Sequence, residues 1–352
     1  MVRAAARRPS RAAGRAPLHR TGLPLVKLEA AGNDFLVALV PLLPRATGGS
    51  GTDQRLLTPA QVRAVCDRRR GVGADGLIVV RRGGPGADLE MVLYNADGSV
   101  AEMSGNGIRC LVHAAVMGGI VPPRTVRVAT AAGLRTVAYG PAEEGSAWAR
   151  VDMGPVRLGP EVVSPLPGTR ARLADVGNPH LVAAGDVDLD VVDLESLRAA
   201  AARAAGGPVN LEVVRPGRSG ADLELRVLER GVGETLSCGT GTCAAAAVAY
   251  AWGMVGDTVT VDNPGGRLEV RLGAGGGGPE RGGGHGGELG TIEGVELAGP
   301  VRKIADVEVD PALFVGAEVD PALVVGAEVG MGLVDVAEVG MALVDVADHE
   351  DG

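Results

Sequence analysis

Two stretches decide how this chain is read: Glu102-Met-Ser-Gly-Asn-Gly-Ile-Arg-Cys110 and Leu236-Ser-Cys-Gly-Thr-Gly-Thr-Cys243. Each sets a small hydroxyl or thiol residue, then Gly-x-Gly, before an apolar run, Ile108–Val116 in one and Ala244–Trp252 in the other. Runs apolar on every face predict buried helices. Ser104 and Cys238 hold equivalent positions, which predicts two related halves, each offering one side chain at a helix entrance. A helix entrance presents free N–H groups and partial positive charge, so two that face each other would clamp a carboxylate. A thiol there is expected to ionise below its ordinary value of ~8.5. Two acid/base groups on opposite sides of one carbon would remove a proton from one face and return one to the other. That is stereoinversion, and the N–H groups would stabilise the charge that develops.

Outward from these stretches, Thr58-Pro59 reads as an N-cap with Pro at the first helical position. The helix it opens runs through Val62, Val65 and Cys66 and stops by Gly71. Leu194–Ala205 reads as an Ala-rich helix ended by Gly206-Gly207. Short alternating runs at Val126–Val128, Leu134–Tyr139, Val151–Met153, Leu223–Leu228 and Val259–Val261 read as strands. Many short strands with few helices predict an α+β fold rather than a doubly wound parallel sheet.

The chain has 352 residues, 46% apolar and 22% charged, enough for two domains with a sizeable core. No apolar run reaches the ~18 residues of a membrane span. Charge is segregated: residues 1–24 carry six arginines and no acid, and residues 304–352 carry twelve acids and no Lys or Arg. The middle is nearly neutral and poor in aromatics, so nucleic acid and membrane are not expected partners and a small polar molecule is. Residues 1–24 read as a disordered extension, with an organelle transit peptide as the alternative. They lack the apolar core of a secretory signal, and four cysteines are too few for a disulfide scaffold; both point to a cytoplasmic location. Ten-residue repeats open with Glu-Val at Glu308, Glu318, Glu328 and Glu338; Pro311, Pro321 and several glycines argue against a continuous helix there. Residues 308–352 are expected to form a flexible acidic tail, and Gly273–Gly290 a Gly-rich hairpin loop.

Rival site chemistries are weaker. Gly239-Thr-Gly-Thr-Cys-Ala244 fits a dinucleotide fingerprint, but no acidic residue follows at the required distance after a clear second strand. Cys238 and Cys243 lack a second ligand pair for zinc, and only five histidines occur, scattered, so no metal is expected. Pyridoxal phosphate needs a Schiff-base lysine, and only Lys27 and Lys303 exist. The reading is of chemistry without a cofactor. Cys66, Cys110 and Cys243 read as core thiols.

Several motifs carry a resemblance: Lys27-Leu-Glu-Ala-Ala-Gly-Asn-Asp-Phe35, Cys66-Asp-Arg-Arg-Arg-Gly-Val-Gly-Ala-Asp-Gly76, Asn95-Ala-Asp-Gly-Ser-Val-Ala-Glu-Met103, Gly177-Asn-Pro-His180, Pro208-Val-Asn210, Glu229-Arg-Gly-Val-Gly-Glu-Thr235 and Ser237-Cys-Gly-Thr-Gly-Thr242. In this order, across about residues 25–305, the chain resembles the diaminopimelate epimerase family. The resemblance implies two similar domains, each of antiparallel strands wrapped around a central helix, with the active site in the interdomain cleft. The domains would be residues 25–149 with about 296–307, and residues 150–295. It implies interconversion of LL- and meso-2,6-diaminopimelate, for lysine and peptidoglycan precursors, without cofactor, by an enzyme that is often a homodimer. Carried over, Cys238 is one catalytic acid/base, and His180 and Glu229 set the protonation of the pair. Substrate contacts fall on Asn33, Asn95, Gly105, Asn106, Asn178, Asn210, Glu229, Arg230, Gly239 and Thr240. A doubly zwitterionic molecule suits that set of amides, one carboxylate and one guanidinium. Taken alone, Asn33, Asn95 and Asn210 also fit turns and Arg230 a solvated charge.

One departure stands out: the family expects Cys where this chain has Ser104. A hydroxyl donates a proton well but is a poor base, so epimerisation should slow in both directions by about 10²–10⁴-fold. Two alternatives follow. One is a related racemase or one-base dehydratase acting on another amino acid. The other is a catalytically impaired binding paralogue.

Overall fold

The computed structural model describes residues 22–39, 57–142, 145–217, 222–274, 290–310 and Leu313. The expectations for the Arg-rich extension, the body of the Gly-rich segment and nearly all of the acidic repeats lie outside the described residues.

The first half of the chain gives β1 (Leu23–Ala30), β2 (Asn33–Leu39), α1 (Pro59–Cys66), β3 (Gly76–Arg82), β4 (Leu89–Asn95), β5 (Val100–Ala101), α2 (Gly105–Met117), β6 (Thr125–Thr130) and β7 (Gly133–Pro141). The long strand β8 (Ser146–Val162) leads into the second half. There follow β9 (Arg170–Asp175), β10 (Pro179–Ala184), a short 3-10 turn, α3 (Leu194–Ala205), β11 (Asn210–Pro216), β12 (Asp222–Glu229), β13 (Gly233–Thr235), α4 (Gly239–Ala251), β14 (Thr258–Asn263) and β15 (Gly266–Arg271). A second long strand, β16 (Thr291–Val309), ends the sheet, which links every strand.

The two halves repeat one pairing scheme. In the first, β2 is parallel to β3, β3 antiparallel to β4, β4 parallel to β6, and β6 antiparallel to β7. In the second, β10–β11, β11–β12, β12–β14 and β14–β15 repeat that order of directions. Each half closes on itself through the long strands. β16 pairs with β1 at its end and with β15 near its start, and β8 pairs with β7 at its start and β9 at its end. β8 and β16 also pair with each other along ten register positions, from Thr291↔Arg157 to Arg302↔Ser146. The result is an α+β fold of two strand barrels that share a two-stranded seam.

A central helix fills each barrel. α2 is buried from Gly105 through Ala115 and packs against β1, β2, β3, β4, β7, β8 and β16. α4 packs against β8, β9, β10, β11, β12, β14, β15 and β16. Its run Cys243-Ala-Ala-Ala-Ala-Val-Ala249 is wholly buried, and small side chains let the surrounding strands draw in. The outer helices are built for the opposite task. α1 starts at a capping box, in which Gln61 N donates to Thr58 Oγ1 (3.3 Å) and Thr58 N to Gln61 Oε1 (2.7 Å). Its Val62, Val65 and Cys66 cover Leu36, Ala38, Leu77 and Val79. α3, capped by Asp193 and stopped by a left-handed Gly206, lays Leu194 and Ala201 on Leu181, Ala183, Leu211 and Val213. No helix among the described residues is long and apolar enough to cross a membrane.

Candidate active site at the facing helix entrances

Ser104 and Cys238 are the N-caps of α2 and α4, with nearly equal backbone angles (φ −139°, ψ 124° and φ −131°, ψ 118°). Each side chain accepts from the third N–H of its helix: Gly107 N to Ser104 Oγ at 3.0 Å, and Gly241 N to Cys238 Sγ at 3.4 Å. The entrances touch. A Cβ placed on Gly239 would lie 3.2 Å from Gly105 Cα and 3.1 Å from Leu297 Cδ2, so glycine at both positions permits the approach. The backbone N–H groups of Gly105, Asn106, Gly239 and Thr240 have no acceptor among the described residues. Four unspent donors at two positive helix ends make an anion-binding surface.

Around this surface the sheet register places the other side chains. In the first barrel Phe35, Gly76 and Asn95 stand in one row across β2, β3 and β4. In the second the same row holds His180 and Asn210, with Glu229 one residue beyond the Leu211–Leu228 pair. The two barrels thus present unlike chemistry from like positions. Every ionisable group of the row lies on the Cys238 side.

Three hydrogen-bonded groups result. Asn106 Nδ2 donates to Asn33 Oδ1 (2.5 Å) and Ser237 Oγ (2.8 Å), and its Oδ1 accepts from Arg109 (2.9 Å). This ties α2 to the start of α4. It also spends the Asn106 side chain, so what Asn106 can offer a ligand is its backbone N–H. Arg109 is fully buried, and burial lowers its guanidinium to about 10. In the second group, His180 Nδ1 meets Glu212 Oε1 at 2.7 Å and Nε2 meets Asn178 Oδ1 at 3.0 Å, with His180 and Glu212 both fully buried. In the third, Glu229 accepts from Thr235 Oγ1 (2.6 Å), and its charge bears on the Cys238 thiol. Asn210 Oδ1 accepts from Arg230 N (2.8 Å) beside it.

The electrostatics correct one expectation. The Cys238 thiol is not lowered by its helix entrance; it is raised well above its ordinary value. Burial is the largest cause, followed by the charges of Glu229 and Glu212, and the bonds from Thr240 and Gly241 N–H do not offset them. The N-terminal charge of one helix is small beside desolvation and two carboxylates. Glu229 is also raised, by burial first, with Glu212 adding to it.

The structure therefore gathers Asn33, Ser104, Gly105, Asn106, Asn178, His180, Asn210, Glu229, Cys238, Gly239 and Thr240 about the two entrances. Asn95 is exposed, and its side chain bonds only Ser99 within the described residues (3.0 Å). Arg230 is exposed, and its guanidinium has no partner among them. Sequence reasoning missed Glu212, which looks like an outward-facing polar residue within Asn210-Leu-Glu-Val-Val214. Aligning the two halves would have exposed it, because Ile78 holds the equivalent place. Ser237 and Thr235 were quoted in motifs without a role. Among the described residues no group of three His, Cys, Asp or Glu side chains could hold a metal ion. A cavity of about 590 Å³ beside the second barrel reaches this region only at Pro179 and His180.

Solved structures share the fold. A hydroxyproline epimerase from Agrobacterium vitis, with bound trans-4-OH-L-proline, aligns over 88% of this chain and 99% of its own with a TM-score of 0.62 and 18% identity. A PhzF-family phenazine biosynthesis protein from Bacillus anthracis aligns over 82% and 99%, with a TM-score of 0.60 and 14% identity. The fold, together with the family model and the curated relatives that match this chain, defines an isomerase of the epimerase class. Residues 50–159 and 172–278 match the family model described as diaminopimelate epimerase. Diaminopimelate epimerase of Corynebacterium glutamicum is 40% identical over 268 residues, covering 71% of this chain and 91% of that protein. The chloroplastic enzyme of Oryza sativa subsp. japonica is 33% identical over 278 residues, covering 70% and 73%. The chain belongs to the diaminopimelate epimerase family.

Proposed function

We propose that this protein interconverts LL- and meso-2,6-diaminopimelate by moving a proton at the α-carbon without a cofactor. The observation that carries the reading is the facing pair of N-caps, Ser104 and Cys238, around four unspent backbone N–H groups. The reacting carboxylate would take the N–H groups of Gly105, Asn106, Gly239 and Thr240. Asn33, Asn95, Asn178, Asn210, Glu229 and Arg230 would hold the remaining amino and carboxyl groups. The exposed Arg230 guanidinium, without a partner among the described residues, suits a distal carboxylate.

In the productive direction the Cys238 thiolate takes the α-proton as the C–H electron pair moves toward the carboxylate. The N–H groups stabilise the added charge. Ser104 Oγ–H then donates a proton to the opposite face, solvent returns a proton to the Ser104 oxygen, and the Cys238 thiol gives its proton up to solvent, which restores the starting pair. The reverse reaction runs the same steps backward. The substrate's ammonium group favours the thiolate, which counters the two carboxylates that raise it in the free protein. Lys27 is held by Gly73 O (2.7 Å) and Asp34 (2.9 Å), and Lys303 by Asp306 (2.6 Å), which supports acid/base chemistry without a Schiff base. A soluble cytoplasmic homodimer fits this reading.

A second reading is a one-base reaction, favoured by Ile78, which lies beneath Ser104 where the other barrel has Glu212. Proton NMR of LL- and meso-diaminopimelate in D₂O separates the two. Exchange with inversion is expected, and Ser104→Cys should accelerate it by about 10²–10⁴-fold. Exchange without inversion would leave Cys238 acting alone.

A further inference from the structure

Glu212 is a charged side chain that the fold does not need. It points into the second barrel under the entrance of α4, fully buried. A Cβ on Gly241 would come 2.5 Å from its Oε1, so glycine leaves room for the carboxylate there. The first barrel keeps the same arrangement with Ile78, whose Cδ1 lies 3.2 Å from the Cβ position of Gly107. Glu212 pairs in register with Val182 on β10 and with Val227 on β12, as Ile78 does with Val37 and Leu93. An apolar residue therefore builds this barrel equally well. Burying a carboxylate there costs stability, and its Oε2 has no hydrogen-bond partner among the described residues.

We propose that Glu212 is a positioning residue: it fixes both ring protons of His180 and, through them, the orientation of the Asn178 amide that meets the substrate. A carboxylate accepts and does not donate, so Nδ1 of His180 carries a proton toward Glu212 Oε1. Asn178 Oδ1, 3.0 Å from Nε2, also only accepts, so that contact needs a proton on Nε2. The buried pair is then one cation and one anion. With its oxygen held by the ring, Asn178 turns its NH₂ away from His180, as a donor suited to a carboxylate. A neutral residue at 212 removes the partner of the ring cation. Nε2 would become an acceptor, the Asn178 amide would reverse, and an oxygen would face the substrate carboxylate.

The substrate part of this inference rests on the proposed diaminopimelate reaction; the ring protons do not. The experiment uses full-length protein labelled with nitrogen-15 in histidine, at pH 7, with His180 assigned by its loss in His180→Asn. Both His180 ring nitrogens should be protonated in the natural protein and only one in Glu212→Gln. With diaminopimelate as the probe, Glu212→Gln should raise KM about tenfold or more while kcat falls less. A neutral His180 ring in the natural protein overturns the proposal without any variant, so it stays testable if Glu212→Gln fails to fold. A Gln variant with unchanged ring nitrogens overturns it too. Changed ring nitrogens with unchanged KM would overturn the substrate-positioning step. No turnover of diaminopimelate by the natural protein would sink the proposed function and leave the ring measurement to decide the rest.

Discussion

Ser104 and Cys238 occupy the same cap position, yet Cys238 is surrounded by groups that resist its ionisation, whereas the matching row on the Ser104 side holds Phe35, Gly76 and Asn95. The free thiol is raised well above 9 by burial and by Glu229 and Glu212, so its thiolate gains tenfold per pH unit below that value. We expect alkylation at Cys238, followed by mass spectrometry, to rise with pH through the alkaline range without a plateau near neutrality. Glu229→Gln removes one of the two opposing charges, so the same profile should move to lower pH. An unmoved profile would show that Glu229 does not act on the thiol. The same substitution should lower kcat for epimerisation, because it also removes the carboxylate whose charge bears on the sulfur.

The central helices carry buried thiols away from the chemistry, and these tie stability to pH. Burial raises Cys243 on α4 to about 12 and pushes Cys110 on α2 up as well. A raised acid group contributes stability that is complete below its unfolded value near 9 and is lost as pH rises through its folded value. Urea unfolding should therefore show falling stability between about pH 9 and 12, and Cys243→Ala should flatten part of that fall. Gly239→Ala tests the helix contact: its Cβ would press on Gly105 Cα and Leu297, costing about 1–3 kcal/mol in unfolding free energy and lowering turnover. All four helices were legible in the sequence, because caps and all-round apolarity are local signals. Leu194–Ala205 matches to the residue. Of the strands, β1 to β5, β9 to β11 and β13 were not. In β3, Ile78 and Val80 face the core around α2, and Leu77 and Val79 face α1, so burial on both sides erases the alternation that betrays a strand. The site divides the same way. The two Gly-x-Gly entrances announce themselves, whereas Glu212 acquires meaning only when β11 is set beside β3.

At the scale of the molecule, the halves are not separable bodies, because β8 and β16 each run through both barrels. We expect calorimetry to record one cooperative transition. A fragment ending at residue 142 lacks the β8 and β16 segments that close its barrel, and should show no dispersed amide spectrum. A two-step melt would show that the seam does not couple the halves. The seam also has a price in time. β1 is among the first described segments to leave the ribosome, and its partner β16 is the last of the described strands to be made. The ion pair between Arg302 and Glu29 (2.9 Å) spans 273 residues of chain. High contact order slows folding, and neither barrel of a nascent chain can close before β16 emerges. Until then the apolar linings of both barrels wait for a common last strand, so the growing polypeptide should depend on chaperones for almost the whole of its synthesis.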